Sequence, residues 1–302
     1  LPNILVATIF ILHLNAYSQD EQSVFEEVIV TAEKRDESLQ DVSQAVTAIT
    51  DNEIEAKNIT SFVDLTAVVP GVTVAKNEGY KTVISIRGVG NETNQNAIAA
   101  PSVAYHMDGI FIASPFSLQT DFLDVERIEV LRGPQGTLFG RNTIGGVINV
   151  TRTKPTGEWG VKLQGTFGDQ DMTDIKGVVN MPLGDRGGLK LAFKNIQSDS
   201  HVYNTTLQDR RDFRDSTTIS ASVRFDISDD TSVLLTYDDY DHDTIAPDNV
   251  MVGPFPEALT GYEASQSNDW KTSPQLNPLE AYMWGNNTTL VITHNLSSHQ
   301  IK

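Results

Sequence analysis

The sequence predicts two unlike units in tandem: a small α+β domain over roughly residues 42–153, then an antiparallel β-sheet from residue 154 onward. Three observations carry that division. Thr50-Asp51-Asn52-Glu53 is a capping-box pattern and Pro70-Gly71 is a helix stop, so short helices belong to the first half. From Gly160 onward apolar and polar residues alternate through long runs, the period of strands whose two faces meet different surroundings. The links between those runs are unequal, as in a sheet with tight turns at one end and long loops at the other.

Composition bounds the possibilities. The chain has 302 residues, enough for two domains at about 150 residues each. Lys and Arg number 22 against 40 Asp and Glu, a net charge of −18, which excludes the basic footprint of a nucleic-acid binder. The absence of cysteine excludes a disulfide framework, thiolate metal sites and a Cys nucleophile. A hydrophobic content of 39% is too low for a helical membrane protein but suits a barrel, whose strands are apolar only at alternate positions.

Taken in order, Ile4 to Leu14 is an apolar run too short to span a bilayer as a helix, and it leads to Ala16-Tyr17-Ser18. This predicts an export signal over residues 1–18, clipped at its start because Leu1 follows neither Met nor a basic segment. Residues 19–41 form an acidic arm interrupted by the β-branched run Val28-Ile29-Val30-Thr31-Ala32. Such a run suits a guest strand for another protein's sheet edge, and equally an edge strand of the following domain.

Within the α+β unit a helix opens at Thr50, and Thr60 or Ser61 can cap a second. Val72 to Ala75 and Val83 to Arg87 read as strands, and Val103 to Ile112 encloses the hairpin dipeptide Asp108-Gly109. Glu126 to Leu131 alternates charged and apolar residues, and Val147 to Val150 is a further strand. Gly133, Gly136, Gly140, Gly145 and Gly146 predict positive φ and close backbone approach to a wall. Arg87 and Arg132 each end a strand before Gly, where a water-poor interface would demand a carboxylate or carbonyl partner.

Beyond Gly160, Val161, Leu163 and Phe167 oppose Lys162, Gln164 and Thr166, while Ile175, Val179, Met181 and Leu183 oppose Asp174, Lys176 and Asn180. Leu189, Leu191 and Phe193 oppose Lys190 and Lys194, and Ile219, Val223, Phe225 and Ile227 oppose Ser220, Ser222, Arg224 and Asp226. Val233, Leu235 and Tyr237 make a fifth run, with Leu234 facing the other way, and Leu290 to Leu296 a sixth. Gly184 to Gly188, Ser228 to Asp230 and Ser297-Ser298 are short links, whereas about Ser198 to Arg214 and Asp241 to Gly285 are long; the first outer turn, Gly168 to Asp171, is short.

Sites of other chemistries are weak. Gly136 to Arg141 lacks the Lys-Ser/Thr of a phosphate loop, and Gly88-Val89-Gly90 is not completed to a dinucleotide fingerprint. Asp238 to Asp243 resembles a hard-cation site, but alternation splits its carboxylates between two faces at the expected mouth of a long loop. With no Gly-x-Ser-x-Gly elbow and no His pair at helical spacing, the sequence points to no catalytic residue, resident metal or cofactor.

Arg132 to Thr151, reading RGPQGTLFGRNTIGGVINVT, together with Val125 to Leu131 closely resembles the plug signature of the TonB-dependent outer-membrane receptors. Other landmarks follow in family order. Val28 to Ala32 resembles a TonB box, Ile84 to Gly88 the strand ending in Arg-Gly, and Tyr105 to Ile110 the Asp-Gly hairpin. In the signature and lock, Arg87, Gly88, Asp108, Gly109, Arg132, Gly133, Pro134, Gly140, Arg141, Gly145 and Gly146 match. The resemblance implies that Arg87 and Arg132 are half of an ion-pair lock to barrel glutamates in later strands.

The fold so implied is an α+β plug domain followed by antiparallel transmembrane β-barrel strands, an incomplete barrel of a 22-stranded type, because a plugged lumen needs about twenty-two strands. The implied domains are a signal over 1–18, a periplasmic arm over 19–41, a plug over 42–153 and about six barrel strands over 154–302 of a longer receptor. The implied activity is energised uptake of a scarce substrate such as an iron-siderophore complex across the cell outer membrane. Its partners would be TonB with its inner-membrane energising complex, outer-membrane lipid and the small-molecule substrate, with Tyr80 and the loop residues Asn91, Asn94, Gln95 and Asn96 as candidate contacts. The alternative is a secreted soluble β-rich protein that captures carbohydrate or Ca²⁺ on acidic loops.

Overall fold

A computed structural model describes residues 28–31, 34, 37–77, 81–90, 100–113, 121–199, 202–204, 208–211, 214–245, 272–273, 280–296 and 300–301. The proposed export signal, Ala32, Tyr80, Asn91, Asn94, Gln95 and Asn96 lie outside the described residues.

The N-terminal elements are β1 (Ile29–Val30), β2 (Glu37–Ser38), β3 (Val46–Thr50), α1 (Asp51–Ala56), α2 (Leu65–Val68), β4 (Val72–Asn77), β5 (Lys81–Ile86), β6 (Val89–Gly90), β7 (Val103–Met107), β8 (Ile110–Phe111), β9 (Val125–Arg132), α3 (Gly136–Phe139) and β10 (Gly146–Arg152). The expected capping box opens α1: Glu53 N donates to Thr50 Oγ1 at 3.4 Å and Thr50 N to Glu53 Oε2 at 3.3 Å. The second helix starts later than the spacing predicts. Its N-cap is Asp64, and Thr60 and Ser61 instead donate their backbone N–H and hydroxyls to the Asp64 carboxylate, closing a turn ahead of the helix. Asp108 and Gly109 both take positive φ, 52° and 82°, as a tight hairpin between β7 and β8 requires.

A five-stranded sheet in the order β3-β9-β10-β7-β8 organises this unit, with β10 and β7 parallel and the other pairs antiparallel. One face carries Ile49, Ile128, Val130, Ile148 and Val150 and packs against Phe62, Leu65 and the β4–β5 hairpin. Phe62 meets Tyr105 and Phe122 edge-on at centroid distances of 4.6 and 4.8 Å. The other face carries Ala104, Leu131 and Val147, and it is covered by Val28, Val30, Leu39 and Phe139.

Three of the signature glycines, Gly133, Gly140 and Gly146, take positive φ, whereas Gly136 and Gly145 do not. Gly146 is the position where a side chain is excluded outright, since a Cβ would sit 2.2 Å from the Leu131 carbonyl oxygen. Gly145 has a similar approach, 2.8 Å, to the Val89 carbonyl. Gly136 has neither feature, and the tight contacts of Gly145 and Gly146 are to neighbouring plug strands, not to an enclosing wall.

The C-terminal elements are β11 (Gly160–Phe167), β12 (Thr173–Pro182), β13 (Gly187–Ser198), β14 (Val202–Asn204), β15 (Asp209–Arg211), β16 (Arg214–Ser228), β17 (Thr231–Ile245), β18 (Thr272–Ser273), β19 (Glu280–Asn295) and β20 (Gln300–Ile301). A seven-stranded antiparallel sheet runs β11-β12-β13-β16-β17-β19-β20, and β15-β14-β18 form a small sheet from the two long links. The six long runs expected from alternation are all strands, with β20 added. β17 and β19 extend further than expected, so Asp238 to Asp243 lie inside β17, paired to β16 and β19, rather than at a loop mouth.

The polarity of this sheet is inverted relative to a water-soluble one. Leu163, Phe225, Leu235 and Leu290 face outward and exposed, Leu163 by 77%. Lys190, Lys194, Ser220, Ser222 and Thr236 face inward and are buried. Apolar-out, polar-in alternation is the pattern of a sheet whose outer surroundings are lipid.

Candidate functional site

Two constellations deserve the name of a site: the arm docked on the plug sheet, and the charged seam joining plug to strands. The arm comes first in the chain. Ile29 and Val30 pair antiparallel with Ser38 and Glu37 within the arm itself, a short two-stranded pair. Val30 is fully buried against Ala104, Leu131, Phe139 and Val147, a burial that contributes roughly 1.5–3 kcal/mol.

Beyond Val30 the arm is held by a buried carboxylate. Thr31 donates its backbone N–H to Glu129 Oε1 at 2.7 Å and its hydroxyl lies 3.0 and 3.1 Å from the two Glu129 oxygens. Arg127 Nε donates to the same Oε1 at 2.9 Å, and Asn149 Nδ2 to Oε2 at 3.1 Å. Glu129 and Asn149 are direct cross-strand partners, so the ladder itself places both on the face the arm covers. Glu129 has no exposed surface. Sequence reasoning missed this role: the alternation of Glu126 to Leu131 reads as a half-solvated strand, and only the arm's arrival turns its polar face into an interior.

His106 lies on the same face, its ring 5.2 Å from that of Phe139 and 5.6 Å from that of Phe111. Burial, reinforced by the Lys34 cation, lowers its pKa from 6.5 to about 4, so it is neutral at ordinary pH.

The seam gathers on the other end of the sheet. Arg152, the last residue of β10, donates through Nε to Asp108 Oδ2 at 2.8 Å and through its two terminal nitrogens to Asp238 at 2.6 and 3.1 Å. Burial by itself would depress the Arg152 pKa, but Asp108 and Asp238 outweigh it and hold the guanidinium above the ordinary arginine range. Ser220 completes the group by donating to Asp238 Oδ1 at 2.6 Å. Nearby, Lys190 Nζ reaches Asp124 Oδ2 at 2.7 Å and the Thr153 carbonyl, Lys194 pairs with Asp174 at 3.7 Å, and Arg214 pairs with Asp121.

The predicted site residues thus divide. Asp108 and Gly109 form the hairpin expected of them, and Asp108 gains a second task as an Arg152 partner. Asp238 faces inward to Arg152, whereas Tyr237 donates to Asp239 and Tyr282 to Asp241 on the outer face, so the acidic run builds no single cage. Arg132 donates to Thr47, and Arg87 sits in the turn after β5 with φ 53°. Among the described residues neither arginine has a carboxylate partner. Pro134, Gly140 and Arg141 are exposed around α3, with Gly133 half-buried at the end of β9 and Gly88 exposed in the Arg87 turn.

Comparison with known proteins gives these features a family. Residues 38–147 match the model of the TonB-dependent receptor plug domain. The chain is 30% identical over 200 residues to the iron-regulated outer membrane virulence protein of Vibrio cholerae, covering 61% of this chain and 30% of that protein. It is 31% identical over 173 residues to the pesticin receptor of Yersinia pestis, covering 56% of this chain and 24% of that one. The chain therefore spans less than a third of the length of these relatives.

Among solved structures, the ferric yersiniabactin uptake receptor of Yersinia pestis matches with a TM-score of 0.70 at 19% identity, over 84% of this chain and 39% of that chain. The ferripyoverdine receptor of Pseudomonas aeruginosa matches with a TM-score of 0.66 at 18% identity, over 89% and 34%. These likenesses establish the fold, a plug against antiparallel barrel strands. Residues 38–147 thus carry a TonB-dependent receptor plug domain, and the strands that follow it are arranged as in the outer-membrane receptors to which the chain is similar.

Proposed function

We propose that this chain carries the coupling arm, plug and first wall strands of a receptor that takes up a scarce small molecule, such as a ferric siderophore, across the outer membrane at the expense of inner-membrane proton-motive force. In this reading residues 1–18 direct export, 19–41 are the periplasmic arm, 42–153 the plug and 154–302 wall strands. Val28 to Ala32 is the TonB box, which pairs as an added strand with TonB; backbone hydrogen bonds give the grip and alternate side chains the selectivity. Arg87 and Arg132 await partners in the wall, and Tyr80 with Asn91, Asn94, Gln95 and Asn96 are the proposed substrate contacts.

The observation that carries the reading is the position of β1, a β-branched strand laid on a plug whose neighbouring sheet turns its apolar side outward. The siderophore class is supported by the relatives, one named as iron-regulated and others solved as ferric-siderophore receptors. The soluble alternative gains no support from an outward row of Leu and Phe.

The test uses the full-length receptor in its outer membrane. Ile29→Pro removes a ladder donor from β1, and uptake falls to the background of a strain lacking TonB while substrate binding stays unchanged. Normal uptake in that variant removes the box assignment. A receptor recovered from the periplasmic fraction without detergent removes the transport reading altogether.

A further inference from the structure

We propose that Glu129 is the positioning residue that holds the coupling arm on the plug, acting through Thr31. The inference deepens the reading of Val28 to Ala32 as the TonB box and concerns how accessible that box is.

Four features of the geometry carry it. The Glu129 carboxylate is wholly buried, between the apolar Leu131 and Val147 on one side and the polar Arg127 and Asn149 on the other. Its two oxygens are fully engaged, by Arg127 and Asn149 from the plug and by the N–H and hydroxyl of Thr31 from the arm. Asn149 Nδ2 also donates to Thr31 Oγ1 at 3.1 Å, so the arm residue is gripped from two strands. Thr31 directly follows the buried Val30, which means that withdrawing the strand breaks polar and apolar contacts in one step.

A carboxylate that accepts charge-assisted bonds in a dry interface binds its donors more strongly than an exposed one. When the arm leaves, Glu129 loses two donors but gains water, so its burial is tolerated only with the arm in place or with the face solvated. The carboxylate thus sets the difference between docked and released arm, and a strand partner must displace Thr31 from it to take β1.

These 302 residues contain no cysteine, so in a full-length receptor with any cysteine beyond them replaced by serine, Val30→Cys is a single thiol at the centre of the docked strand. In outer-membrane fragments carrying that receptor, the rate of the thiol's reaction with a maleimide reads the released fraction. Glu129→Gln raises that rate at least tenfold, and Thr31→Val raises it from the arm side without touching the plug. Combined, the two substitutions raise it no further than the larger alone, while amide-exchange protection of the β9–β10 ladder stays unchanged. A rate within twofold of the parent in Glu129→Gln, independent multiplication of the two effects, or acceleration only alongside lost β9–β10 protection overturns the proposal. Binding of a synthetic peptide of residues 26–34 to the periplasmic domain of TonB tests the box separately: its failure removes the box and leaves the latch standing.

Discussion

The two sheets of this molecule obey one periodicity and opposite solvents. In the five-stranded plug sheet, β9 and β10 are buried on both faces, with helices and the β4–β5 hairpin on one side and the arm on the other. In the seven-stranded sheet residues alternate between faces, and Lys190, Lys194 and Ser222 point to the interior while Leu191, Phe193 and Val223 point away from it. An apolar side chain is placed by what lies outside it as much as by what lies within. In the plug both apolar faces are covered from within the protein, as the removal of apolar surface from water favours. Lipid around the outer sheet makes no such demand, so its inner face is free to carry the ion pairs that fasten it to the plug.

The largest break in that contrast is at the seam. Arg152→Ala leaves Asp108 and Asp238 without their shared cation in a partly buried junction, and removing one partner of such a network costs roughly 3 kcal/mol, the lower end of the range for a buried pair. Denaturant unfolding of the receptor, followed by a probe on the plug, should reveal a loss of that size. Next is the outer face: Leu235→Arg, in the middle of the apolar row on β17, should destabilise the protein by about 2–4 kcal/mol in lipid vesicles, where the same change in a water-facing sheet would be mild.

The inner sheet offers a pH test. Since the folded-state pKa of His106 lies near 4, below the ordinary value of about 6.5, protonation favours the unfolded chain. Its contribution is intact above pH 7, declines as pH falls from about 6.5 to about 4, and is then lost, a change on the order of 3 kcal/mol. His106→Phe should flatten that part of the unfolding midpoint's pH profile; an unchanged profile would show that His106 is not held neutral. The smallest effect belongs to a device shared by soluble domains generally: Thr50→Ala removes the N-cap of α1 and should lower stability by about 1 kcal/mol.

Much of the fold was legible because its rules are local. The capping box needs only Thr50 to Glu53, the Asp108-Gly109 hairpin needs two residues able to take positive φ, and the wall strands declare themselves by alternation. The failures have equally local causes. Asp64 took over from Thr60 and Ser61 because its carboxylate satisfies both of their backbone donors at once, which no ranking of cap residues foresees. In sequence the acidic run of β17 reads as a loop mouth, Asp being disfavoured in strands, yet pairing on both sides extends the ladder through it.

By itself, then, the sequence determined the kinds of elements, their order, the family signature and the outward apolar rows, since each depends on residues adjacent or alternate along the chain. Only the tertiary structure decided that Glu129 is interior, that Thr31 meets it across 98 residues, and that Arg152 ties Asp108 to Asp238. Those pairings follow from which sheet face is covered and by what, a matter of long-range packing on which the pattern within any single strand is silent.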